Sequence, residues 1–178
     1  MQDSKVKTQK QIRRIVTKLL EQNKIETLPV PVGDLARKMG VEIRYSPFDG
    51  DISGMVFRHE ERVVIGVNSL HHPNRQRFTI AHEIGHFLLH KGKEVHVDRT
   101  FRVNLRNDVS SQATDPTEIE ANRFAAELLM PYDMIIDDLV KHGIDVENEE
   151  DFKELSKKYG VSVQAITFRI TNIFNEII

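Results

Sequence analysis

The spacing of hydrophobic positions predicts two helices in the first part of the chain and a group of short strands after them. Apolar residues recur at helical intervals over residues 5–22, and a shorter helical run, VGDLARKMG, follows two prolines and ends at Gly40. Three runs rich in β-branched residues come next, VEIRY, GMVFR and RVVIGV, with turn-like segments between them. We expect these runs to form a small antiparallel sheet.

The remainder of the chain is predicted to be mainly helical. A helical pattern extends from about residue 74 to 89, and the polar, aperiodic segment up to about residue 115 is expected to be a mobile loop. Helical periodicity returns in PTEIEANRFAAELLM, after Pro131, and at roughly 147–158 and 162–176. The predicted fold is α+β, with the small antiparallel sheet packed on the helix of residues 74–89. We expect one domain over residues 1–130 and a helical C-terminal region over residues 131–178.

The composition narrows the possible classes of function. The chain has 178 residues, of which 39% are hydrophobic and 29% charged, as in ordinary globular proteins. It has no cysteine, which excludes disulfides and cysteine-ligated zinc fingers, so any bound metal must be held by His, Asp or Glu. No apolar run is as long as a signal-peptide core or a membrane span, so we predict a cytoplasmic protein with no membrane partner.

The N-terminal segment is basic although the net charge of the chain is only -2. A basic amphipathic helix can contact nucleic acid or a membrane surface, but a charged helix face is more commonly just solvated. We therefore do not expect direct binding of nucleic acid.

The segment TIAHEIGHFLLH, residues 79–90, predicts a metal site on a helix. His82 and His86 are one turn apart, about 6 Å along the helix axis, so both imidazoles can converge on one ion, for which zinc is suitable. They lie opposite an apolar arc. The members of this arc are Ile80, Ala81, Ile84, Phe87 and Leu88.

Glu83 is predicted to be a general base. On an ideal helix it lies about 60° around the axis from His86, which would place its carboxylate beside a metal-bound water. The alternative is a polar helix face that carries this spacing by chance. The apolar surroundings disfavour the alternative, because two buried histidines and a glutamate have a desolvation cost unless they share a ligand.

A catalytic zinc normally has three protein ligands, so a third is needed. His90 is about 12 Å from His82 along the helix and is therefore predicted to be a second-shell or structural residue instead. Glu118 shares its helix side with small residues that permit close approach of another helix, whereas Glu120 lies on a polar side and is expected to be solvated. We therefore prefer Glu118.

Glu118 also has a structural alternative. With Asp115 as N-cap and Pro116 at the first helical position, Glu118 has the spacing of a capping box, and both roles could apply in part. We favour the ligand because two histidines otherwise lack a third partner. Asn122, one turn further on, could hydrogen-bond a ligand histidine from the second shell.

The chain resembles the ImmA/IrrE family of zinc metallopeptidases. The resemblance is carried by RQRFTIAHEIGHFLLH, EIEANRFAAELLMP, ISGMVFRHEERVVIGVN and LSKKYGVSVQAITFRI, and it spans most of the chain beyond about residue 28. It implies a zincin-like fold of the gluzincin type, with His82, His86 and Glu118 as zinc ligands and Glu83 as the catalytic base. Members are commonly encoded on phages and other mobile elements or act in stress responses. They cut a helix-turn-helix transcriptional repressor, so the expected partner is a protein substrate.

The predicted reaction is hydrolysis of a peptide bond by Glu83-assisted attack of zinc-bound water. A further side chain is expected to stabilise the negative charge on the carbonyl oxygen in the transition state. The sequence does not distinguish among four candidates for this role, which are His71, His72, Tyr45 and Tyr132. A rival hypothesis comes from the C-terminal segment FKELSKKYGVSVQAITFRITNI, which has the pattern of a helix-turn-helix unit. The chain could instead be a non-catalytic module that binds a repressor or DNA and holds a structural metal. The second helix of this C-terminal segment has only one basic residue, Arg169. Proteins that bind specific DNA sequences usually make more contacts with the phosphates.

Overall fold

The α+β class is confirmed. The computed structural model describes residues 6–60, 62–90, 95–98, 115–142 and 148–177. Within these ranges the chain forms seven helices and one four-stranded sheet. The elements are α1 (Gln9–Gln22), α2 (Val32–Lys38), β1 (Val41–Ser46), β2 (Gly54–His59), β3 (Arg62–Asn68), α3 (Pro73–Leu89), β4 (Val95–Asp98), α4 (Pro116–Leu129), α5 (Tyr132–His142), α6 (Glu149–Tyr159) and α7 (Val163–Ile177).

The sheet is mixed, whereas a wholly antiparallel sheet was expected. Its strand order is β1-β3-β2-β4, with β1 parallel to β3 and the other two pairs antiparallel. Strands β2 and β3 pair as a hairpin in which His59 lies opposite Arg62, β1 pairs with the other edge of β3, and β4 pairs with the other edge of β2. Hydrophobic periodicity shows which runs are strands, but it does not show on which edge or in which direction each one pairs.

The segment predicted to be a mobile loop contains the fourth strand. Most of that segment lies outside the described residues, but residues 95–98 pair with β2 in antiparallel register. The sequence VHVD has the apolar–polar alternation of a strand, although it is only four residues long. A strand this short gives a weak pattern in the sequence, and its pairing partner lies far away along the chain.

Helix α3 lies at the centre of the molecule. Every residue from Phe78 to His86 is buried, so both the apolar arc and the polar side of this helix are covered. Helix α4 packs closely on the polar side: a side chain added at Gly85 would meet the Ala121 Cα and a Phe124 ring carbon, each at 3.2 Å. The small residues of α4 therefore permit the close helix contact that the sequence predicted.

The C-terminal segment forms two helices, α6 and α7, joined by a short turn. Gly160 ends α6 with φ = 64°, a left-handed conformation that favours glycine, and the Ser162 hydroxyl accepts a hydrogen bond from the Ala165 backbone N–H. The hydrophobic core includes residues from both sides of residue 130, such as Phe124 and Ile166. The division at residue 130 stays a prediction.

Among the described residues, no helix combines the length and apolar character that a membrane span requires.

The polar side of α4 is buried, which corrects the expectation that Glu120 is solvated. Glu120 and Glu127 are 3% and 1% exposed. Arg169 donates to Glu127 at 2.5 Å and to the Met130 carbonyl, while Lys7 donates to Glu120 at 2.8 Å. Partners from the N-terminal segment and from α7 thus cover a side of α4 that looks solvent-facing on a helical wheel.

Substituting methionine for Arg169 is expected to destabilise the fold by about 3 kcal/mol, because Glu127 would keep its buried charge without its closest cation. This is the low end of the range for broken buried pairs, since Gln9 and the Tyr132 N–H still donate to Glu127. Urea unfolding followed by circular dichroism measures the effect.

The control is Lys141→Ala, which removes an ion pair with Asp137 whose side chains are both more than half exposed. That change should cost less than about 0.5 kcal/mol. Equal losses of stability in the two variants would contradict the structural role of the Arg169 pair.

Candidate metal centre

Four side chains from three elements converge between α3 and α4. They are His82 and His86 of α3, Glu118 of α4 and His96 of β4, and one ligating atom from each lies within 4.8 Å of all the others. His82 and His86 are almost completely buried, and Glu118 and His96 are half-buried. The structure thus brings together the three residues that the sequence proposed as ligands and adds a fourth.

The distances within this group are short. The Nε2 atoms of His82 and His86 are 2.9 Å apart, and they lie 3.4 and 3.3 Å from the two carboxylate oxygens of Glu118. The spacing on α3 accounts for the histidine pair, because residues i and i+4 lie one above the other on a helix. The close contact of α3 with α4 accounts for the glutamate.

The outer nitrogen of His82 has a hydrogen-bond partner on α4. Its Nδ1 lies 2.9 Å from the Asn122 side-chain oxygen, so Nδ1–H donates and Nε2 keeps its lone pair. Such a bond fixes the tautomer and the ring orientation of a metal-binding histidine. Asn122 is thus within hydrogen-bond distance of His82, and its role in orienting a ligand histidine stays a prediction.

The outer nitrogen of His86 belongs to a longer chain of hydrogen bonds. His86 Nδ1 is 3.1 Å from His90 Nδ1, and His90 Nε2 is 3.2 Å from Glu120, which Lys7 also contacts. Because Glu120 accepts from His90 Nε2–H, His90 Nδ1 accepts in turn from His86 Nδ1–H. Glu120 thus holds His90 against His86, and the role of His90 in orienting a ligand histidine stays a prediction.

These tautomers provide a test of whether a cation fits. With both Nδ1 atoms donating outward, the Nε2 atoms of His82 and His86 face each other as lone pairs at 2.9 Å, beside the Glu118 carboxylate. Electron-rich atoms at that separation repel one another unless a positive charge lies between them. The donor set of imidazole nitrogen and carboxylate oxygen suits zinc, so the residues fit a divalent cation.

The protonation states favour the same conclusion. Burial lowers the pKa of His86 to about 4, against the opposing effect of Glu118, so His86 is neutral near pH 7. Neutral imidazole and ionised carboxylate are the forms that bind metal.

Glu83 follows His82 on α3, on the side of the helix that faces β2. It is fully buried. A side chain added at Gly54 of β2 would come within 2.3 Å of the Thr79 methyl and 3.5 Å of Glu83 Oε1, so only glycine allows this approach of helix and strand. Arg58, on the same face of β2, donates to the His86 carbonyl at 2.8 Å and interacts electrostatically with Glu83.

The start of α4 bears on the alternative role of Glu118 as part of a helix cap. Asp115 caps α4, with its carboxylate accepting from the Thr117 backbone N–H at 2.9 Å. The Glu118 carboxylate lies instead among the histidines. Asp115 is therefore the N-cap, and Glu118 is placed as a ligand would be.

His96 is the member of the convergent group that was not predicted from the sequence. Its Nε2 is 3.1 Å from Glu118 Oε1, and its ring centroid is 3.8 Å from that of His86. The alternation in VHVD was the available signal, since it places His96 on the opposite face from Val95 and Val97. That signal has meaning only once β4 is known to pair beside α3.

None of the four suggested oxyanion partners belongs to the convergent group. His72 is the N-cap of α3, where its Nδ1 accepts from the Asn74 N–H. Tyr132 lies under the Arg13 guanidinium, and Tyr45 is 57% exposed. The His71 carbonyl accepts from Gln76. The oxyanion role is not assigned to any of them.

A mixed sheet packed on a helix with His-Glu-x-x-His, and a glutamate from the next helix, define a domain of the zincin-like metallopeptidase class. The sequence model of the IrrE N-terminal-like domain family, Peptidase_M78, matches residues 36–171. The chain belongs to this family.

The chain is also similar to two individual proteins. The radiation response metalloprotease IrrE of Deinococcus radiodurans is 29% identical over 136 residues, which cover 74% of this chain and 37% of that protein. The solved structure of a Mycobacterium tuberculosis transcriptional regulator superposes with a TM-score of 0.59 at 16% identity, covering 90% of this chain and 46% of that one. The chain thus spans less than half the length of either protein. The likeness to the transcriptional regulator shows the fold alone.

Proposed function

We propose that the protein is a zinc-dependent endopeptidase. The observation that carries this proposal is the convergence of His82, His86 and Glu118, with the buried residue Glu83 on the same helix as the two histidines. Membership in a metallopeptidase family and the likeness to a radiation response metalloprotease support the same activity. Zinc is the preferred cation because the donors are imidazole nitrogens and one carboxylate.

The proposed substrate is a helix-turn-helix transcriptional repressor, whose cleavage would release the genes that it silences. This part of the proposal rests on the resemblance to the ImmA/IrrE family. Cytoplasmic localisation follows from the same proposal, since such a repressor acts on DNA inside the cell. An origin on a phage or another mobile element, or a role in a stress response, would agree with it.

In the proposed mechanism each residue has a separate task. A bound zinc ion would supply Lewis-acid activation of water and of the scissile carbonyl. Glu83 takes a proton from the attacking water and delivers it to the leaving amine nitrogen, so the peptide bond breaks without net consumption of protons at the enzyme. Asn122 and His90 hold the ligand imidazoles in the orientation and tautomer that leave Nε2 free.

The rival function, a non-catalytic module that binds DNA, has less support. Arg169 is the one basic residue of α7, and its guanidinium is 5% exposed and bonded to Glu127 and Met130. It cannot contact a phosphate without breaking a buried ion pair. Packing or substrate docking is therefore the preferred role for the helix-turn-helix-like part.

The experiment that tests the proposal begins with the metal. Protein purified without added metal or chelating tags is analysed by elemental mass spectrometry, next to His86→Ala and the control His59→Ala, which removes an exposed histidine from the end of β2. We expect about one zinc per chain in the wild type and the control, and none in His86→Ala.

Cleavage is tested next on purified helix-turn-helix repressors from the same genome, with products identified by mass spectrometry. Cutting that stops with a chelator and returns with zinc supports the proposal. Absence of metal from the wild type even after zinc is offered would refute the metal centre itself. Bound zinc together with salt-dependent DNA binding and no cleavage would support the rival module instead.

A further inference from the structure

His96 reaches the metal centre because of the register of the edge strand. β4 pairs antiparallel with β2, and His96 lies directly opposite Val56. Residues opposite each other in an antiparallel pair have side chains on the same face. Val56 is buried on the face that covers α3, so His96 also points toward α3, while Val95 and Val97 point to the other face and are 47% and 37% exposed.

The position of His96 is that of a ligand. Four ligands at about 2.0–2.1 Å from a zinc ion in tetrahedral geometry are about 3.3–3.4 Å from one another. The Nε2 atom of His96 is 3.1 Å from Glu118 Oε1, close to the 3.3 and 3.4 Å that separate the same carboxylate from His86 and His82. A side chain that contacted the substrate or a metal-bound water, and not the metal itself, would lie further from the other metal-ligating atoms.

The Nε2 atom of His96 has no hydrogen-bond partner within the described residues. The Nε2 atom of His96 is buried, and its approach to Glu118 does not have the angle of a hydrogen bond. A buried imidazole nitrogen without a bond has a desolvation cost, which a shared cation would offset. The contact between the His96 and His86 rings, with centroids 3.8 Å apart, holds the nitrogen in place.

We propose that His96 is a fourth protein ligand of the metal, so that the centre with β4 in place is a closed resting form. This inference rests on the proposed function, because it presupposes a metal held by His82, His86 and Glu118. Three protein ligands leave a coordination position open for water or substrate, whereas four protein ligands fill a tetrahedral site. Hydrolysis would then require that His96 withdraw.

The strand that carries His96 is suited to withdrawal. β4 has four residues and lies at the end of the strand order, so it is held by β2 alone among the described strands. Short edge strands have few stabilising contacts and open at lower free energy than central strands. When β4 leaves, the metal gains an open position and the β2 backbone gains a free edge, to which an extended peptide can bind by strand addition.

The test counts the imidazole ligands of the zinc-loaded protein by X-ray absorption spectroscopy and measures zinc affinity by competition with a chelator. We expect three imidazoles in the wild type and two in His96→Ala. Loss of a hydrogen-bond partner of a ligand histidine typically lowers metal affinity by about 10- to 100-fold. The zinc affinity of His96→Ala should fall by more than this. The control His59→Ala, on the neighbouring strand, should match the wild type in both measurements.

His96→Phe is included in case the alanine variant does not fold, because phenylalanine preserves an aromatic ring against His86 and suits a strand. Two imidazoles in the wild type, with unchanged affinity in both His96 variants, would overturn the inference. His82→Ala separates the two proposals. If it abolishes zinc binding while the His96 variants do not affect it, only the fourth ligand is wrong; if none of these changes affects zinc, the proposed metal centre itself fails.

Peptidase activity gives an independent readout of the closed form. Removing a fourth ligand should increase basal cleavage, since one coordination position becomes permanently open. If His96 were instead a group that acts on the substrate, its removal would decrease cleavage and leave the number of imidazole ligands unchanged. That combination would also overturn the inference.

Discussion

Replacing Glu83 with glutamine is expected to abolish most peptidase activity while zinc content and fold are retained. The amide has nearly the size of the carboxylate, so the close packing of α3 against Gly54 should not change. It cannot take a proton from water, and loss of a positioned general base typically costs about 10²- to 10⁴-fold in rate. The measurement is kcat for repressor cleavage, with zinc per chain and thermal unfolding recorded on the same preparations.

The matched control is Glu42→Gln. Glu42 lies on the exposed edge strand β1, pairs with Arg44 and Arg62 outside the centre, and should be replaceable without effect on rate. Full activity in Glu83→Gln would remove Glu83 from the role of base. Loss of zinc together with activity would show that Glu83 supports the metal, which is a different role.

The parts of the centre that the sequence predicted are those set by local helix geometry. His82 and His86 are one turn apart on a single helix, so their convergence follows from the helical repeat alone. Glu118 and Asn122 have the same spacing on α4, and small residues such as Ala121 marked the side of that helix on which α3 packs. Each of these inferences needs only one helix and the identity of the side that packs.

The parts that the sequence did not predict depend on contacts between distant segments. Glu120 was expected to be solvated because its side of α4 is polar, but Lys7 and His90 cover it, and the Lys7 ammonium offsets its charge. The position of His96 depends on the register of β4 against β2, and the parallel direction of β1 depends on its pairing with β3, a strand about 20 residues further along the chain. Periodicity within one element contains no information about such partners.

Replacing Glu118 with alanine is expected to abolish tight zinc binding. Its carboxylate is the one anionic ligand in the convergent group, and it lies between three imidazoles at 3.1 to 3.4 Å. Without it the cation would lose both a donor atom and the charge that offsets its own in a buried site. Chelator competition on the purified protein measures the affinity.

Two neighbouring variants show whether the effect is specific to a ligand. Asp115→Ala removes the N-cap of α4 and should cost about 1 kcal/mol of stability with zinc affinity unchanged. Glu120→Ala removes the partner of His90, which orients His86, and should weaken zinc binding by about 10- to 100-fold. If Glu118→Ala behaves like Asp115→Ala, Glu118 is only part of the helix start. If Glu120→Ala is the more severe of the two glutamate variants, the assignment of ligand and supporting residue must be reversed.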